Sequence, residues 1–84
     1  MIPKEKMMKI LLENRCTKAE AERYINNDHV IIYEDPEDWL TDENVFREES
    51  GDPLITLDDA REGKIADISM VNVDDHEYLI QYIL

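Results

Sequence analysis

Residues 65–84, IADISMVNVDDHEYLIQYIL, decide the fold class. Segments 65–73 and 78–84 are rich in β-branched and aromatic residues, and DDHE at 74–77 has the composition of a four-residue hairpin loop between them. In the last segment Tyr78, Ile80, Tyr82 and Leu84 alternate with Leu79, Gln81 and Ile83. One face is apolar and aromatic, and the other is mostly apolar too. Such a strand belongs at the centre of a sheet or under cover on both sides. Shortening it from its C-terminal end is expected to cost stability.

Upstream of this hairpin, LITL (54–57) reads as a further strand and SGDP (50–53) as a turn. Residues 58–63, DDAREG, read either as one more helical turn closed by Gly63 or as an irregular loop, with the turn preferred. The segment before them starts with a helix signal: Asp35 as N-cap, Pro36 at the first helical position, and Glu37 and Asp38 in the first turn, where the macrodipole favours negative charge. Trp39 and Leu40 anchor this helix, expected over 36–47, and Val45 and Phe46 continue its apolar face. VIIY (30–33) reads as a buried strand. Further upstream, Pro3 and the spacing of Met7, Met8, Ile10, Leu11 and Leu12 predict a helix over 4–14. Thr17 and Glu20 form a capping-box signature that opens a second helix over 18–26, with an Ala21, Tyr24 and Ile25 stripe, ended by Asn26-Asn27. The short link Arg15-Cys16 makes these two helices an αα-hairpin.

The expected architecture is α+β: an N-terminal helical hairpin and a short third helix packed on a three- to four-stranded, mainly antiparallel sheet ending in a C-terminal hairpin. With 84 residues and an apolar fraction of 43%, the chain is expected to be a single folded domain, residues 1–84. Cys16 is the only cysteine, so an internal disulfide and a thiolate zinc site are excluded, and a reducing, cytoplasmic setting is expected. No stretch has the length of a signal peptide's apolar core or of a membrane span, so a soluble, untargeted protein is expected.

Nine basic and 21 acidic side chains give a net charge of −12. The charge is concentrated: residues 1–33 sum to +1, residues 34–62 to −10, and residues 63–84 to −3. A chain of this kind is repelled by nucleic acids and anionic membranes and attracted to basic surfaces. The helical hairpin has the outline of a helix-turn-helix, but its near-neutral charge argues against DNA binding.

Chemistry has few footholds. His29 and His76 stand in no ligand spacing, and the aspartate pairs 58/59 and 74/75 lack the glycine-centred loop of a calcium site. Acid–base catalysis needs opposed carboxylates across an apolar cleft, for which so short a chain has little room. Two glycines cannot make a phosphate loop. No enzyme activity, cofactor or metal is expected.

The acidic block remains. YEDPEDWLTDEN (33–44) holds six carboxylates and no basic residue around the single tryptophan. Helix capping accounts for up to four of them and leaves Asp42 and Glu43 over. With Glu48, Glu49, Asp52, Asp58, Asp59 and Glu62 they are the candidate partner-binding residues, with Trp39 and Tyr33 as apolar anchors among them. Acids four apart on a helix lie ~6 Å apart and alternate strand residues ~6.8 Å, near twice the ~3.4 Å axial charge spacing of one nucleic-acid strand.

In TKAEAERYI, VIIYEDPEDWL and YLIQYIL, and in its size and acidity, the chain resembles small phage and mobile-element proteins that disable host defence nucleases, the anti-CRISPR and antirestriction inhibitors. That resemblance implies tight, non-catalytic binding to the basic nucleic-acid channel of an effector such as a Cas or restriction nuclease. It carries over no individual residue. The expected function is a non-enzymatic acidic protein that blocks a basic nucleic-acid-binding surface without binding nucleic acid or membrane itself. The alternative is a small accessory or regulatory interaction domain that docks through the αα-hairpin or a sheet edge, its acids serving solubility alone.

Overall fold

The computed structural model describes residues 2–83, in the order α1 (Lys4–Glu13), α2 (Lys18–Asn26), β1 (Val30–Tyr33), α3 (Pro36–Ser50), α4 (Leu57–Arg61), β2 (Ile68–Val73) and β3 (His76–Tyr82). The fold is α+β, with a three-stranded antiparallel sheet in the order β1-β3-β2. The final strand is thus central, as its two apolar faces require. Leu84, expected on the same face as Tyr82, lies outside the described residues.

Side chains alternate across the strands, so consecutive residues enter opposite layers. Val30, Val73, Tyr78 and Ile80 pack with Ile10, Leu11 and Ala21 of α1 and α2. Ile68 and Leu79 pack with Trp39 and Ala60 of α3 and α4. The sheet is therefore covered on both faces, by the αα-hairpin on one and by α3 and α4 on the other. Ion pairs fasten both helical layers to the β2–β3 hairpin. Lys6 and Lys9 of α1 reach Asp74 at 3.2 and 2.9 Å, and Arg61 of α4 reaches Glu77 at 2.8 Å. Tyr82 accepts a hydrogen bond from the Asn14 side chain, and burial pushes its phenol above the ordinary range.

All four helices end in the same way. The residue after the last turn takes positive φ (Arg15, Asp28, Gly51, Gly63), and the next residue's N–H closes a 6→1 bond, as in Cys16 N to Leu11 O and Asp52 N to Arg47 O. At Gly51 this motif ends α3 only after Ser50, three residues beyond the expected 47, so Glu48 and Glu49 join the helix.

The expected strand at 54–57 is not formed. Thr56 and Asp59 make a capping box, the Thr hydroxyl accepting from Asp59 N and the Asp carboxylate accepting from Thr56 N, and this starts a helix at Leu57. The Asn44 side chain takes both polar groups of the Ile55 backbone, with bonds of 2.9 Å each, which leaves that backbone nothing to offer a sheet. Among the described residues the sheet has three strands, and β1, which precedes the third helix, joins the far edge of β3. Asn44→Ala would strip two hydrogen bonds from a part-buried backbone and should cost about 1–3 kcal/mol. Protease digestion should then cut within 52–56 well before the rest of the domain.

The hairpin loop is also tighter than its composition suggests. Val73 pairs directly with His76, and Asp74 and Asp75 form a two-residue turn with φ of 53° and 63°. Positive φ at both positions marks the turn type whose twist matches the strands, and glycine is preferred at the second. Asp75→Gly should raise stability by about 1 kcal/mol, read as a higher denaturant midpoint with unchanged slope. Asp74 is unsuitable for this change because its carboxylate serves α1.

Four carboxyls are held below their ordinary range: Asp74 by the Lys9 and Lys6 ammonium groups, Glu77 by Arg61, and Glu20 and Asp59 by the backbone N–H groups that they cap. A depressed folded-state pKa contributes stability that is complete above the unfolded value and is lost as pH falls through the folded one. Their contribution should be complete above pH 4.5 and should fade once pH drops below 3.8, the ordinary values of Glu and Asp. Thermal melts should show this fall, and Asp74→Asn should make it shallower.

Candidate binding surface

The sheet turns a division along the sequence into a division in space. The near-neutral N-terminal segment forms one outer layer, and the −10 segment, residues 34–62, forms the other. α3 dominates the acidic layer. Its two buried residues, Pro36 and Trp39, lie in the first turns, so the second half of this 15-residue helix, about 22 Å long in all, stands away from the core.

The candidate carboxylates divide by what they touch. Glu43 pairs with Arg47 at 2.9 Å, Asp58 with Arg61 at 2.7 Å and Glu62 with Lys64 at 2.9 Å, while Asp59 is spent on the capping box. Asp42, Glu48, Glu49 and Asp52 are exposed and have no ion-pair partner among the described residues. These four, together with Glu37 and Asp38, are the free charges of α3 and its C-terminal turn among the described residues. Asp38, Asp42, Val45 and Glu49 follow one another at intervals of four, three and four residues, so they form one outward row along the helix. Glu34 precedes the helix and does not join it.

Trp39 is not an exposed anchor. It is 4% exposed and packs with Ala60, Ile68 and Leu79, so its ring holds α3 to the sheet. Tyr33 is half-buried against the same cluster. The exposed apolar groups of this layer are instead Phe46 (65%), Leu54 (60%) and Val45 (52%). Val45 and Phe46 were expected to continue the buried stripe. Val45 lies on the outward row, and Phe46, on the face of Trp39, comes after the last buried residue of the helix.

An open cleft of about 500 Å³ lies between α3 and the end of the sheet, lined by Trp39, Glu43, Arg47, Ile68, Gln81 and Ile83. Glu43 and Arg47 neutralise each other there, and Arg47 also donates to the Pro53 carbonyl. The pair thus ties α3 to the segment that follows it. His76 is exposed and bonded to the Glu34 carbonyl, and no group of three or more potential metal ligands exists among the described residues. No helix among them is long and apolar enough to cross a membrane. Comparison with family models, with curated proteins and with solved structures gives no match.

Proposed function

We propose that this protein is a non-enzymatic acidic inhibitor whose α3–α4 layer occupies the basic nucleic-acid-binding surface of a cytoplasmic partner, in the manner of anti-CRISPR or antirestriction proteins. The observation that carries the reading is the gathering of ten net negative charges on one side of the sheet, with every α3 carboxylate except Glu43 free of ion pairs among the described residues. Clustered charges at phosphate-like spacing attract a basic groove, speed encounter at low salt and hold off competing nucleic acid. Blockade of this kind requires no chemistry and no cofactor.

The test is competition in a defined system. Purified Cas and restriction nucleases cleave labelled DNA in the presence of rising amounts of the wild-type chain or of a variant carrying Asp42→Asn, Glu48→Gln, Glu49→Gln and Asp52→Asn. These positions are exposed and unpaired, so the variant should stay folded. Inhibition by the wild type should be relieved by excess DNA, should weaken as salt rises, and should fall at least about tenfold in the variant, the equivalent of ~1.4 kcal/mol. Equal inhibition by both proteins, or none by either across the panel, would sink the reading. Binding that survives the four changes would move the search to the αα-hairpin and the free edges of β1 and β2.

A further inference from the structure

We infer that Phe46, with Val45 beside it, is the apolar centre of the docking surface, and that the partner's basic face carries an apolar pocket among its arginines and lysines to receive it; this rests on the function proposed above. The inference starts from the exposure of a large aromatic side chain. Among the described residues Phe46 is the most exposed of the large apolar side chains, although it lies seven positions after the buried Trp39 and so on the same face of α3, and no described residue covers it. Around it stand Asp42, four residues before, Glu49, three after, and Val45 next to it. An aromatic ring ringed by charged groups is the usual plan of a binding hot spot, where the ring fills a pocket and the polar rim excludes water.

Charge decides which partner fits. A second copy would bring two −10 layers together around Phe46, and that repulsion opposes self-association through this face. A nucleic acid or an anionic membrane is repelled for the same reason. A basic protein surface satisfies both components, since its cations meet Asp38, Asp42 and Glu49 while its pocket takes the ring. Charge alone would give fast but weak and poorly specific binding, whereas the buried ring would set the dissociation rate.

Two synthetic helical peptides of equal length and equal arginine content serve as probes. One carries leucine at i, i+3, i+4 and i+7, and the other carries serine at the same places. Amide chemical shifts and titrated affinities are read for the wild type, Phe46→Ala, Phe46→Leu and Asp42→Asn/Glu49→Gln. The leucine peptide should perturb residues 38–49, bind about tenfold more tightly than the serine peptide, and lose that margin in Phe46→Ala but keep much of it in Phe46→Leu. Equal binding of the two peptides, with no effect of Phe46→Ala, overturns the inference and leaves a surface that works by charge, so the proposed function stands. Perturbation confined to α1 and α2, or sedimentation showing a dimer that Phe46→Ala dissolves, overturns it as well. Loss of all binding in Asp42→Asn/Glu49→Gln supports the charged rim, and failure of both peptides to bind the wild type removes the inference and the proposed function together.

Discussion

Leu79→Ala should destabilise the domain by about 3 kcal/mol, because a fully buried leucine leaves both its transfer energy and a cavity behind. Leu79 is completely buried in the central strand, and its cross-strand neighbours Tyr33 and Met70 face the same layer. The cavity would open directly beneath Trp39, where rigid rings and two flanking strands limit collapse. A domain of this length has roughly 4–13 kcal/mol of stability in total, so the change should remove a large part of it. Urea unfolding at neutral pH should show a much lower midpoint with an unchanged slope. A loss under about 1 kcal/mol would mean that α3 and α4 are only loosely seated on the sheet. The separation of the −10 layer from the near-neutral one would then lose its structural basis.

The second large effect is a contrast within one helix. Trp39→Ala should cost about 4 kcal/mol, whereas Phe46→Ala should change stability by no more than about 0.5 kcal/mol. Both residues are large, aromatic and on the same face of α3, seven positions apart. The difference is burial: 4% exposure for Trp39 against 65% for Phe46. Thermal melts of the two variants settle the matter directly. Similar losses would mean that α3 folds back over its own C-terminal half in solution, and Phe46 would then be unavailable to a partner. The predicted contrast also separates stability from binding, since Phe46→Ala would lose affinity while remaining folded.

Local chemistry was legible. The capping box at Thr17 and Glu20, the Asp35-Pro36 start of α3 and the β-rich segments on either side of Asp74-Asp75 each depend on groups a few residues apart, and each forms near its expected place. One local signal was missed although present. Thr56 and Asp59 have the same three-residue spacing as Thr17 and Glu20, and reading it would have placed a helix start where a strand was expected. Gly51 likewise belongs to the end of α3 and not to a separate turn, so the helix runs on through Glu48 and Glu49.

By itself the sequence determined the element types, the caps, the two-sided apolar character of the last strand and the placement of the charge in residues 34–62, because each is written in neighbouring side chains. Only the tertiary structure decided what that charge would face. Val30 pairs with Tyr82 across 51 intervening residues, and that pairing puts β1 on the far edge of β3 and the two helical layers on opposite sides of the sheet. The same assembly hides Trp39 against Ala60, Ile68 and Leu79 and leaves Phe46 exposed on the same helix face, since burial depends on what each turn of the helix packs against and not on its hydrophobic period alone. Long-range pairing and layer packing are properties of the whole chain closing on itself, so no window of sequence contains them.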